Sequence, residues 1–286
     1  MPGDRSLARA VSAALRIEAP AKLNLSLRVV GRRADGFHEL ESLFVLLQFA
    51  DALLLLPGCS GLRVDGAEAG SVPLAGDNLA WRGLVAGLGG EPDLCCLTLE
   101  KRVPAAAGLG GGSSDAAAAW RLGRAWRGQP EPATGHELAG LSAIGADVPF
   151  FAAGVAAARV AGIGERVEPV PAVEREAVLV HPPFDLSTAA VYAELRTDEW
   201  GGMENDLLAP ARRLRPELDD LFDVVRSEGG EPRLSGSGPT IFSLEDDPQR
   251  AAALAERLDA RGLRTTRTRT RTTAATIDRI EEEPWA

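Results

Sequence analysis

Lysine is almost missing from this 286-residue chain. It stands only at Lys22 and Lys101, and arginine carries nearly all the other positive charge. Asparagine is confined to Asn24, Asn78 and Asn205, and tyrosine to Tyr192. Arginine cannot imitate a compact ammonium, and an asparagine amide both donates and accepts, so each survivor is a candidate for a specific chemical task. Cysteine is scarce too. Cys95 and Cys96 are adjacent and would face opposite sides of a strand, and with Cys59 they suit neither a disulfide framework nor a zinc site. All three read as packing residues. No long apolar run exists: Leu53 to Leu56 is far too short to span a bilayer, and residues 1–15 lack the apolar core of a secretory signal, which points to a cytoplasmic protein without a membrane partner. The net charge of -10, with no dominant basic patch, argues against nucleic acid. An apolar fraction of 45% suits a globular fold of one large or two ordinary domains.

Glycine, by contrast, is concentrated. The run Pro104-Ala105-Ala106-Ala107-Gly108-Leu109-Gly110-Gly111-Gly112-Ser113-Ser114 follows a strand-like segment and opens into an alanine-rich helix. Glycines let backbone N–H groups turn inward and close on an anion, Ser113 and Ser114 stand where an N-cap is expected, and the helix N-terminus adds unpaired N–H groups. The natural ligand is a phosphate. No lysine follows as a P-loop requires, Ser113 replaces the last glycine of a dinucleotide fingerprint, and the protein-kinase HRD and DFG motifs are absent.

Before this loop, residues 16–33 alternate Leu23, Leu25, Leu27 and Val29 against Lys22, Asn24, Ser26 and Arg28, a half-buried strand with Lys22 and Asn24 on one polar face. The turn Asp35-Gly36-Phe37-His38-Glu39 places an aromatic ring beside an imidazole, a pair that can stack on a flat base and bond its edge, or simply pack. A helix follows Asn78 and stops at Gly89 and Gly90; Cys95 to Lys101 is the strand feeding the glycine loop. In the next helix, Ala116, Ala119 and Gly123 form a small-residue face toward the sheet. A further helix spans His136 to Ile144. Asp147, between Gly145 and Val-Pro, is either a turn former or a carboxylate aimed at a reacting hydroxyl. After Glu165 strands and helices alternate: a helix near Ser187, another in 216–230, the glycine turn 235–238, a helix from Pro248 to Arg261 and an Arg/Thr strand, ending in a frayed tail. The 235–238 turn either faces the same cleft or merely precedes a buried strand.

The glycine loop resembles that of the GHMP small-molecule kinases. With APAKLNLSL at 19–27, RRADGFHEL at 32–40, DNLAWR at 77–82, GADVPFF at 145–151 and LSGSGPTIF at 234–242, the order and spacing resemble one family among them, the 4-diphosphocytidyl-2-C-methyl-D-erythritol kinases, over residues 16 to about 245. That resemblance implies an α+β fold of two domains, 1–165 with the phosphate loop and 166–286. It implies transfer of the ATP γ-phosphoryl group to the 2-hydroxyl of the cytidine diphosphate methylerythritol, in isoprenoid precursor biosynthesis by the non-mevalonate route. Magnesium would ride on the nucleotide, with no metal-ligating side chains assigned. Lys22 and Asp147 match the catalytic pair, the loop 104–114 holds the ATP phosphates, and Lys101 and Asn78 lie on the nucleotide side. Asn24, Phe37, His38, Thr188 and Tyr192 fall at the cytidine end, where Phe37 and Tyr192 sandwich the cytosine and His38 reads its edge. Family members often carry Tyr where this chain has Phe37, and sometimes Pro in place of Ala189, changes that bear on substrate affinity. The resemblance leaves a monomer or weak homodimer. The alternatives are a GHMP kinase acting on a mevalonate-type or homoserine-type alcohol, and a nucleotide-binding protein without catalysis.

Overall fold

The computed structural model describes residues 13–73, 75–202 and 204–280. The frayed tail expected after Ile280 lies outside them. The first sheet is organised around a long hairpin, β1 (Ala14–Arg32) and β2 (His38–Pro57). β2 is long enough to pair β1 throughout and to change its other neighbour halfway. Residues 52–57 pair with β4 (Cys95–Glu100), which in turn takes β3 (Gly61–Asp65) in parallel; residues 40–45 pair with β5 (Ala157–Gly162), which pairs with β6 (Arg166–Pro169). Between those two stretches β2 is met by a later segment of the chain, where Leu47 bridges Thr270 and the Arg271 amide donates to the Leu46 carbonyl, while the glycine loop reaches β1 through the Leu109 carbonyl, which accepts from the Lys22 amide.

Helices α1 (Leu79–Leu88), α2 (Gly111–Trp126), α3 (His136–Leu141) and α4 (Val148–Ala152) belong with this sheet. α1 stops where Gly89 adopts a left-handed conformation, as its position after the apolar run predicts. The small-residue face of α2 does more than expected. Cβ atoms added at Gly83 and Gly87 would lie 2.0 and 2.2 Å from the carbonyl oxygens of Ala116 and Trp120, and one at Gly123 would lie 2.9 Å from Gly87. The closest approach is therefore α2 against α1, while Ala116 and Ala119 also lie in the cores between this helix and the sheet, as expected. α3 ends at Leu141, three residues before Ile144, because the chain must turn to reach Gly145.

The second sheet has the order β10-β7-β9-β8 and is antiparallel throughout: β7 (Glu176–His181), β8 (Arg233–Leu234), β9 (Ile241–Glu245) and β10 (Arg264–Arg269). α5 (Thr188–Glu194), α6 (Leu208–Leu214), α7 (Glu217–Ser227) and α8 (Pro248–Ala260) accompany it, and Phe222, Val225, Leu254 and Leu258 fill its core. The chain then returns to the first sheet, where β11 (Ile277–Ile280) pairs with β1. Between the sheets runs an apolar seam of Leu23, Leu47, Val103, Leu109, Leu179 and Phe242. Lys22 and Asn24 share a face as expected, but that face is buried, because the second sheet and the glycine loop cover it.

One sequence expectation fails outright: Cys59 and Cys96 are joined in a disulfide, and only Cys95 is a free, buried thiol. Parallel pairing of β3 and β4 sets Gly61 opposite Cys96 and so brings Cys59 alongside. The two stand 37 positions apart in the chain, and nothing local announces that pairing. Cys95 faces the opposite way, where burial and then Asp93 push its thiol up to about 11.

Candidate active site

The glycine loop leaves β4 and crosses between the sheets. Gly108 and Gly110 both have left-handed backbone, with φ of 76° and 69°. A Cβ on Gly108 would meet the Ser235 carbonyl oxygen at 2.2 Å, so this position must be bare. Ala106 also lies at positive φ, a strained conformation for a residue with a Cβ, in the same loop. Gly110, and not Ser113 or Ser114, is the N-cap of α2: its left-handed turn starts the helix ahead of both serines and brings no side-chain cap. The amides of Gly111, Gly112 and Ser113 therefore have no intrahelical acceptor. They stand at the positive end of the α2 dipole, an anion-binding arrangement.

The second glycine turn locks the first. Ser235 Oγ donates to the Gly108 carbonyl at 2.9 Å, and the Thr240 amide donates to the Ala107 carbonyl at 3.3 Å. A Cβ on Gly236 would lie 3.2 Å from Asn24 Oδ1 and 3.3 Å from Lys22 Nζ, so the turn does face the cleft. Asn205 Nδ2 holds it through the carbonyls of Leu234 and Gly236. Asn205, rare in this composition, and Ser237, in the glycine-rich turn, are site neighbours that the sequence flagged without assigning.

Lys22 projects from β1 into this junction. Its backbone N–H donates to the Leu109 carbonyl at 2.9 Å, while Nζ donates to Asn24 Oδ1 at 2.6 Å and to the Gly108 carbonyl at 2.9 Å. Asp147 Oδ2 lies 3.6 Å from the same ammonium. Burial pulls the Lys22 pKa down, and Asp147 opposes that pull. Asp147 occupies the N-cap position of α4 yet makes no capping bond. Its carboxylate, 28% exposed, lines the cavity.

A cavity of about 520 Å³ gathers Lys22, Asn24, Asn78, Asp147, Thr188 and Tyr192 with most of the glycine loop. Leu109 turns instead into the seam, and Ser114 is buried in α2. Asn78 lines the cavity but its amide is engaged as the N-cap of α1: Oδ1 accepts from the Ala80 amide at 2.9 Å and Nδ2 donates to the Pro73 carbonyl at 2.7 Å. Lys101 lines it too, yet it is fully buried and its ammonium is bonded to Asp51 and Asp115. At the other end, Thr188 Oγ1 and Ser237 Oγ lie 2.8 Å apart.

The expected sandwich of Phe37 and Tyr192 is not assembled. Phe37 is 61% exposed at the hairpin turn. Tyr192 is stacked by His38, with ring centroids 5.3 Å apart and planes 23° from parallel, and Trp200 meets the same imidazole edge-on at 5.8 Å. His38 opens β2 facing Tyr192, and its neighbour in the turn stands in solvent. Burial, and then Arg32, lower the His38 pKa. Burial, and then Asp147, push the Tyr192 phenol up.

A buried lysine beside a carboxylate, both at the mouth of a glycine loop that opens a helix, is the equipment of a small-molecule phosphotransferase. The family models for the GHMP kinases N terminal domain and the GHMP kinases C terminal match residues 78–155 and 190–263. A homoserine kinase from Cytophaga hutchinsonii has the same fold, with a TM-score of 0.64 over 93% of this chain and 98% of its own at 16% identity. The chain is thus a GHMP-type small-molecule kinase. Within that class, a 4-diphosphocytidyl-2-C-methyl-D-erythritol kinase from Dinoroseobacter shibae is 40% identical over 85% of this chain and 90% of its own length. A crystal structure of a 4-(cytidine 5'-diphospho)-2C-methyl-D-erythritol kinase superposes with a TM-score of 0.73 at 35% identity, covering 89% of this chain and 98% of the other. The chain belongs to the 4-diphosphocytidyl-2-C-methyl-D-erythritol kinase family.

Proposed function

We propose that this chain transfers the γ-phosphoryl group of ATP to the 2-hydroxyl of 4-diphosphocytidyl-2-C-methyl-D-erythritol, a step in isoprenoid precursor synthesis. The observation that carries the reading is the Lys22–Asp147 pair, 3.6 Å apart at the mouth of the glycine loop. Asp147 accepts or orients the acceptor proton as the new oxygen–phosphorus bond forms and ADP leaves with the old one. Lys22 bridges loop and carboxylate, holding Asp147 and offsetting charge on the transferred group. Such chemistry rests mainly on positioning and electrostatics.

The loop amides and the α2 N-terminus receive the nucleotide phosphates, with Asn78 shaping that end by capping α1. Among the described residues no three His, Cys, Asp or Glu side chains gather around a possible metal position. A magnesium ion arriving with the nucleotide would draw its oxygens from phosphates and water and would neutralise phosphate charge. Thr188, Tyr192 and His38 form the cytidine end, and Phe37 reaches the base by a change of side-chain position. A cytoplasmic monomer or weak homodimer belongs to the same reading.

The test is ATP turnover by the purified protein with three acceptors side by side: the cytidine diphosphate methylerythritol, mevalonate and homoserine. Turnover with the first alone is expected. Faster turnover with either of the others would replace the substrate assignment, and none with any would leave only a nucleotide-binding protein.

A further inference from the structure

Directly beneath the phosphate loop lies a buried ionic cluster that the phosphoryl-transfer chemistry does not use. Lys101, at the end of β4, is fully buried. Its Nζ bonds Asp51 Oδ2 of β2 and sits 3.2 Å from Asp115 Oδ2 of α2. Asp51 Oδ1 accepts from the amides of Arg102 at 2.5 Å and Val103 at 2.8 Å, the two residues before Pro104. The Lys101 backbone is itself pinned, its N–H to the Asp65 carbonyl at 2.7 Å and its carbonyl to the Glu68 amide at 3.1 Å. Asp115 follows the first turn of α2.

We propose that Asp51, Lys101 and Asp115 are positioning residues for the nucleotide site: they clamp the strand leading into the loop to the first turn of α2, and Lys101 acts through the loop backbone, not by touching phosphate. The proposal rests on the loop being the ATP site. Two carboxylates already surround the ammonium, and breaking that pairing inside the fold would strand buried charge. Gly111 supports the clamp independently. A Cβ there would lie 3.0 Å from Lys101 Nζ and 3.0 Å from Val103 Cγ1, so the bare position lets the ammonium pass under the helix start. Burial lowers the Lys101 pKa but Asp115 and Asp51 more than reverse it, so it stays charged. Asp115 Oδ1 has no hydrogen-bond partner. Burial raises the Asp115 pKa well above the carboxylate range, Lys101 opposing and Asp51 adding to it.

The discriminating variant is Asp115→Asn, which keeps the shape but puts a neutral amide in place of the carboxyl that faces the Lys101 ammonium. Isothermal titration with a non-hydrolysable ATP analogue and magnesium is compared across wild type, Asp115→Asn, Lys101→Met and the double variant, with the cytidine diphosphate ligand as second titrant. Positioning predicts that Asp115→Asn and Lys101→Met each weaken nucleotide binding at least ~10-fold with the cytidine ligand unaffected, and that the double variant is no worse than the worse single one. Nucleotide binding by Asp115→Asn at wild-type strength or tighter, or losses that multiply in the double variant, would overturn the clamp. If Lys101→Met does not fold, Asp115→Asn decides alone. Failure of the wild type to bind the nucleotide would instead remove the ATP-site reading beneath it.

Discussion

Asn24 holds Lys22 in place: its Oδ1 accepts from the Lys22 ammonium at 2.6 Å while its Nδ2 donates to Ser42 Oγ at 2.9 Å, and Ser42 passes its own proton to the Ser26 carbonyl. The ammonium can only donate, and the Ser26 carbonyl takes the one Ser42 proton so that Ser42 Oγ must accept, and the relay therefore fixes which way the amide points. The resemblance put Asn24 at the cytidine end, whereas the geometry commits its amide to the lysine.

Asn24→Ala therefore lowers kcat by about 10-fold or more, through a misplaced ammonium, with the KM values of both substrates nearly unchanged. Steady-state kinetics with each substrate varied in turn is the check. A raised KM for the cytidine substrate at constant kcat would return Asn24 to substrate binding.

Asp147 lies on a short helix and makes no local bond, so replacing it disturbs little structure. Asp147→Asn is expected to cut kcat by at least ~10²-fold while nucleotide affinity holds. Single-turnover measurements separate the chemical step from product release, and an unchanged single-turnover rate would strip Asp147 of its role.

Much of this architecture was readable because local signals agreed with it. The alternating residues of 16–33 make β1, Gly89 stops α1, and the glycine loop opens α2. Features set by distant pairing were not readable. Cys59 meets Cys96 only because β3 and β4 run parallel, and Gly108 must be bare because Ser235, far along the chain, packs against it. Asp51 lies in an otherwise apolar strand, and its partnership with Lys101 depends on the register that sets residue 52 opposite residue 100. Phe37 and His38 were read as a unit from adjacency, yet the hairpin sends them to different surroundings.

His181 offers a stability test away from the site. Its Nε2 lies 2.9 Å from Thr266 Oγ1, its Nδ1 is buried without a partner, and burial, then Arg264 with Glu68 opposing, lower its pKa to about 4. The folded protein thus prefers the neutral ring. Its contribution is complete above the unfolded value of about 6.5 and drains away as pH falls toward 4. Between pH 7 and pH 5 the wild type should lose on the order of 2 kcal/mol from this group, and His181→Gln should show a correspondingly flatter profile. Urea unfolding at the two pH values measures both, and parallel profiles for wild type and variant would contradict the buried neutral histidine.

Tyr192 carries the substrate question, because its ring faces both the cavity and His38. If cytosine stacks on this ring, the base must take the face now covered by the imidazole or the opposite one. Removing the ring then costs on the order of 1–3 kcal/mol of cytidine-ligand binding, the range for base–aromatic stacking. The ring also packs against the core of the second sheet, so Tyr192→Ala loses thermal stability as well, and titrations belong at a temperature where the variant is folded. Tyr192→Phe keeps the ring and is expected to bind normally. The measurement is paired titration of Tyr192→Ala with an ATP analogue and with the cytidine diphosphate ligand: a loss confined to the second places the base on Tyr192, and equal losses for both would reduce the residue to packing.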